Sequence, residues 1–147
     1  MRYLGHLHYY LGIEVSQHPR YIFLSEKKYV RELLNKFGMV ECNRFSTPME
    51  QNLKLTSKEG NEFEDANKYR QLVGSLIYIT TTRPNISFVV GILSRFMQEP
   101  CEGHLRAAKR VLKYLKGTQD FGLKYSHTDD VNLIEYFDLD FDGDNEN

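Results

Sequence analysis

Two groups of residues in this 147-residue chain have the types and spacing to do chemistry. The first is Asp138, Asp140 and Asp142, alternating carboxylates followed by Gly143. Carboxylates at alternate positions with Gly at the sixth match the first half of a calcium loop, so weak divalent binding is one reading. The loop also needs a Glu at its twelfth position, which would fall past Asn147. The plainer reading is a solvated acidic tail. The second group is Arg106, Lys109, Arg110, Lys113 and Lys116, which recur at helical spacing and share a face. A cationic face can neutralise phosphates. The same spacing also describes a solvated face opposite an apolar stripe.

Charge balance sharpens both groups. The net charge is −1, so nothing draws the whole chain to nucleic acid or to a membrane surface. From His104 to Lys124, however, there are six Lys/Arg and one acidic residue, whereas Thr128 to Asn147 carries eight Asp/Glu and no Lys or Arg. The five histidines are scattered, and none stands at metal-ligand spacing from Cys42 or Cys101. Two separated cysteines make no disulfide framework and show no nucleophile motif. No Gly-rich phosphate loop is present, so no cofactor is expected. No apolar run approaches the ~20 residues of a membrane span. His6, His8 and Glu14 interrupt the N-terminal stretch, which lacks the apolar core of a secretory signal.

The elements that must position these groups are legible from periodicity. Leu7 to Ser16 reads as one strand, Gln17-His18-Pro19-Arg20 as a turn, and Tyr21 to Leu24 as the return strand of a hairpin. Ser25 is placed to cap a helix carrying Val30, Leu33, Leu34 and Phe37, with Gly38 at its left-handed end. Residues 39–64 show no period and read as a long surface loop. Asp65 caps a second helix, with Tyr69, Leu72, Val73, Leu76 and Ile77 on one face, and Arg83-Pro84 ends it. Asn85 is placed to cap a third, with Ile86, Val89, Val90, Leu93 and Met97 inward. A fourth runs from about His104 to Lys116, with Leu105, Ala108, Val111, Leu112 and Leu115 inward. Phe121 to Tyr125 and Leu133 to Phe137 read as two closing strands. The fold class is α+β: an N-terminal hairpin, about four helices and a C-terminal pair of strands.

The longer motifs carry a resemblance. Leu11-Gly12-Ile13-Glu14-Val15, Phe23-Leu24-Ser25-Glu26-Lys27-Lys28-Tyr29-Val30 and Ser46-Thr47-Pro48-Met49 are similar to successive segments of copia-type retrotransposon reverse transcriptases. So are Tyr69-Arg70-Gln71-Leu72-Val73-Gly74-Ser75-Leu76, Thr82-Arg83-Pro84-Asn85-Ile86, the run from Gly103 to Thr118, and Asp138 to Asp144. The resemblance covers essentially the whole chain in order. It implies the end of the palm, then thumb and connection, over residues 1–126. Residues 127–147 would be a truncated first strand of the ribonuclease H domain with an acidic tail. Asp138 matches the first ribonuclease H carboxylate. The polymerase aspartates would lie before Met1, and most of the other ribonuclease H carboxylates after Asn147. Both reactions need several carboxylates around two divalent ions, so the expectation is a chain that is not an enzyme. The chain departs from the family's usual Asp at Asn85, Trp at Leu105, and Gly, Ser and Trp at Glu135, Phe137 and Phe141.

The chain also resembles secreted RxLR effectors of plant-pathogenic oomycetes. Arg2-Tyr3-Leu4-Gly5 is a degenerate form of that motif, Arg110-Val111-Leu112-Lys113 another, and Glu62-Phe63-Glu64-Asp65 an acidic cluster of the kind that follows it. That class implies secretion, action inside the host plant cell, and suppression of cell death by binding an unidentified host protein. Two expectations of different kinds therefore stand. One is a non-catalytic effector. The other is an inactive remnant of a reverse transcriptase/ribonuclease H polyprotein, remaining intracellular and touching nucleic acid at most through Arg106, Lys109, Arg110 and Lys113.

Overall fold

A computed structural model describes residues 6–126 and 134–138, with side chains described for residues 8–126. Among the described residues, five strands form one antiparallel sheet in the order of the chain: β1 (His6–Tyr10), β2 (Ile13–Gln17), β3 (Tyr21–Ser25), β4 (Phe121–Ser126) and β5 (Ile134–Asp138). Four α-helices are inserted between β3 and β4: α1 (Lys27–Lys36), α2 (Ala66–Ile79), α3 (Ser87–Leu93) and α4 (Glu102–Gly117). The α+β class and the four helices match the sequence reading.

The leading strand is the first correction. Residues 7–16 do not run as one strand; the chain reverses at Leu11-Gly12, and Tyr10 pairs with Ile13. Both turn residues have positive φ, 54° and 86°, the conformation of a two-residue hairpin turn whose twist suits the flanking strands. Leucine enters that region at a cost, and Leu11 is 77% exposed. The turn is held by the Tyr78 hydroxyl of α2, which donates to the Leu11 carbonyl. A Cβ on Gly12 would stand 2.6 Å from that hydroxyl oxygen. The expected turn at residues 17–20 is present, closed by His18 N–H donating to Tyr21 O at 2.9 Å.

The closing strands form the expected pair, and they also extend the N-terminal sheet. Leu24 of β3 is in register with Leu123 of β4, and Phe121 of β4 with Asp138 of β5. Gly122 permits this approach: a Cβ there would collide with the Leu24 carbonyl oxygen and stand 2.9 Å from Phe23 Cζ. Chain ends separated by the whole helical insert are thereby joined in one sheet.

The helices are driven together by their apolar faces. Val30, Leu33 and Leu34 of α1, Tyr69, Leu72, Val73, Leu76 and Ile79 of α2, Val89, Val90 and Leu93 of α3, and Leu105, Ala108, Val111, Leu112 and Leu115 of α4 form one buried cluster. α1 ends as expected, with Gly38 at φ 67°. Gly38 N–H donates to Asn35 O and Met39 N–H to Leu34 O, which satisfies carbonyls left free at the helix end. Asp65 caps α2 by accepting from Lys68 N–H at 3.1 Å. Two other expected caps are absent. Ser25 is buried at the end of β3, and Glu26 stands at the N-cap of α1 without a side-chain bond to the helix. Asn85 lies within a short 3₁₀ turn, and its side chain is engaged elsewhere. Residues 37–65 are irregular as expected, but not merely superficial: Met39 is buried, and Leu53, Leu55 and Phe63 pack on the core.

Leu76 and Leu112 are fully buried. Leu112→Ala should therefore lower stability by roughly 2–5 kcal/mol, read as a shift of the thermal or denaturant midpoint. An unmoved midpoint would contradict the packing of α4.

Candidate nucleic-acid interface

Burying Leu105, Ala108, Val111, Leu112 and Leu115 forces the five basic residues of α4 to the opposite face. They do not all project into solvent. Residues 42–49 lie along part of the stripe: the Arg110 guanidinium is 4.5 Å from the Phe45 ring centroid and donates to Thr47 Oγ1 at 2.9 Å. Lys113 Nζ stands 5.1 Å from the same ring, and Lys116 Nζ donates to Cys42 O at 2.5 Å. Cations over an aromatic face are attracted by its quadrupole, so three of the five stripe residues position the loop. Arg106 is exposed and Lys109 half-buried.

Between this loop and α4 lies a groove of about 460 Å³, with Phe45, Met49 and Leu53 on one side and Arg106, Arg110 and Lys113 on the other. Past the end of α4, a cleft of about 380 Å³ is lined by Lys27, Arg44 and Lys116. A third, of about 630 Å³, includes Tyr9, Lys28, Arg31 and again Lys116. Lys28 Nζ is 5.6 Å from the Tyr9 ring centroid. Cations thus continue from α4 onto α1, with Asp120 and Glu32 among them. Sequence reasoning missed the α1 half, although Lys27, Lys28 and Arg31 were its signal.

The polar residues between the elements are occupied in holding them. His104 is fully buried. Its Nδ1 accepts from Cys101 N–H at 2.8 Å, so Nε2 carries the proton and donates to Thr56 O at 2.7 Å. Its ring stacks on Phe96 with centroids 3.9 Å apart. Arg83 is 2% exposed and donates to Thr118 O at 3.0 Å and Thr118 Oγ1 at 2.8 Å. It lies near the Tyr114 and Phe121 rings. Asn85 donates to the Tyr114 hydroxyl at 2.6 Å, which is where its expected capping role went.

The remaining candidate residues divide as follows. The backbone of Asp138 ends β5, while its side chain, Asp140 and Asp142 lie outside the described residues, as do Arg2, Tyr3, Leu4 and Gly5. Cys42 and Cys101 are free thiols. Among the described residues, no group of three or more His, Cys, Asp or Glu is placed to hold a metal ion, and no helix is long and apolar enough to cross a membrane.

Residues 1–51 match the family model described as reverse transcriptase (RNA-dependent DNA polymerase). Over 138 residues, the chain is 41% identical to the retrovirus-related Pol polyprotein from transposon RE1 of Arabidopsis thaliana, covering 94% of this chain and 9% of that protein. An uncharacterized mitochondrial protein of the same plant is 40% identical over 144 residues, 97% of this chain and 59% of its own length. A shorter match, 42% identical over 77 residues, is to secreted RxLR effector protein 161 of Plasmopara viticola and covers 52% of this chain and 54% of that protein. The chain therefore spans about a tenth of the polyprotein and three fifths of the mitochondrial protein. No solved structure matches it.

His104→Phe keeps an aromatic ring against Phe96 but leaves Cys101 N–H and Thr56 O without their partner. We expect a loss of about 1–3 kcal/mol, read in a denaturant titration. A variant as stable as the parent would show that these two bonds do not hold the loop.

Proposed function

The chain belongs to the reverse transcriptase family of retrotransposon polyproteins, and from that premise we propose that this stretch is a non-catalytic framework that contacts nucleic-acid phosphates. The observation that carries the reading is the recurrence of cations along three clefts, in which they outnumber the carboxylates Glu50, Glu59, Asp120 and Glu32. Arg106, Arg110 and Lys113 line one, Arg44 and Lys116 the next, and Lys28 and Arg31 the third. A near-neutral chain that gathers its positive charge on connected surfaces has a local electrostatic footprint for a polyanion. Arg106 and Lys109 are the α4 cations that do not hold the loop, so they are assigned the phosphate contacts. Arg110 and Lys113 keep Phe45 and the loop in place beside them. His104 is engaged structurally through both ring nitrogens, and Arg83 through Thr118.

Binding to a fluorescent RNA–DNA duplex tests this reading. Affinity should fall steeply with salt, and Arg106→Ala with Lys109→Ala should reduce the slope of log K against log salt by about 2. Absence of binding at low salt would overturn the nucleic-acid contact. Primer extension, or hybrid cleavage abolished by Asp138→Asn, would overturn the non-catalytic assignment.

A second reading is supported by the 77-residue similarity to the secreted RxLR effector. In it the chain is secreted, acts inside a host plant cell and suppresses cell death through a host protein. Expression in leaf tissue beside a cell-death elicitor should then reduce tissue collapse. Leu112→Asp, which breaks the core, should abolish the effect, while Asp138→Ala with Asp140→Ala should preserve it. Confirmed expression without suppression against several elicitors would remove this reading.

A further inference from the structure

Glu26 is a carboxyl group in an unusual place. It follows β3 directly, begins α1, and is 2% exposed. One oxygen, Oε1, accepts from Thr82 Oγ1 at 2.7 Å, just past the end of α2. The other, Oε2, is buried with no hydrogen-bond partner. The side chain therefore sits where the sheet, the start of α1 and the end of α2 meet. The same seam is bridged by the Tyr78 hydroxyl on the Leu11 carbonyl, and by Glu14 of β2, which accepts from Lys28 N–H at 2.6 Å.

The charged and titratable groups around this seam offer Glu26 little compensation. From α1, Lys27 is ion-paired with Asp120, and Lys28 Nζ lies over Tyr9. Tyr29 packs edge-on against Tyr78 of α2. Arg83, next to Thr82, is turned to Thr118. Glu14 of β2 brings a second carboxylate to the seam.

We propose that Glu26 is a proton-operated latch: protonated, it closes the seam between the sheet and the helices, and ionised, it loosens that seam. Burial disfavours the charged form and outweighs the Thr82 bonds that favour it, raising the Glu26 pKa from 4.5 to about 7. The sign follows from linkage. A carboxyl whose pKa is higher in the closed state gives its full stabilisation below the open-state value of about 4.5. That stabilisation is lost as the pH rises through about 7. The seam is thus firmest below about 4.5, loosens progressively as the pH rises to about 7 and stays loosened above it. It joins the β1–β2 hairpin and the basic face of α1 to the helical core.

Hydrogen exchange of the full chain between pH 5.5 and 8.5 tests this. Val30 N–H, bonded to Glu26 O at 2.9 Å, reports on the seam, as does Thr82 N–H. Relative to Glu26→Gln at each pH, opening in the wild type should increase about tenfold per pH unit up to about 7 and level off above it. Parallel exchange in the two proteins would overturn the proposal. A carbon-13 titration of the Glu26 carboxyl gives a second measurement that does not depend on the Gln variant folding. Its midpoint should lie near neutrality and move higher in Thr82→Val, which removes a bond that favours the charge. A midpoint near 4.5 would also overturn it.

Discussion

Helix α4 is held at both ends by groups from distant parts of the chain, and the remaining architecture is arranged around that restraint. At its start, the first free amides are taken by the long loop: Glu102 N–H donates to Asn61 O and Gly103 N–H to Glu59 O. His104 adds bonds to Cys101 and Thr56. At its end, Arg83 holds Thr118. A helix end buried without partners would leave several backbone groups unsatisfied. Here the partners come from residues 56–61 and residue 83, so satisfying α4 also determines the path of the loop and the exit of α2. With α4 placed, β4 leaves in line to pair with β3, and the small Gly122 permits the contact.

The same restraint shapes the candidate interface. The apolar stripe of α4 faces the core, so its cations face outward and must be either solvated or covered. Part of the stripe is covered by residues 42–49 through Phe45, Thr47 and Cys42. Arg110 and Lys113 are thereby held as walls of a groove. Arg106 and Lys109 are left to interact beyond the chain. Positioned cations bordered by aromatic and apolar residues suit a charged backbone better than a fully mobile lysine fringe.

Polar burial elsewhere has a different character. Arg83 has donors matched by acceptors and rings on its flanks, so its charge is compensated. Glu26 is not compensated to the same degree, having one bonded oxygen and one orphan. One buried charged residue therefore clamps α2 to α4. The other makes the junction of sheet and helices responsive to protons.

By itself the sequence determined most of the apolar faces of four helices, the Gly38 end of α1, the Asp65 cap and the turn after Gln17, because each depends on residues a few positions apart. On α2, however, Ile77 is exposed and Ile79 takes the buried position. The family relationship was likewise legible from contiguous motifs. The hairpin at Leu11-Gly12 escaped notice because its turn lacks the usual Asn or Asp, and the Tyr78 that holds it is far away in the chain. The union of β3 with β4, the engagement of Asn85 and Arg83, and the covering of Arg110 and Lys113 escaped for the same reason. So did the joining of α1 cations to those of α4. Periodicity reports which face of an element is apolar; only tertiary packing decides which distant donor meets which acceptor, and whether a charged side chain ends in water or against a partner.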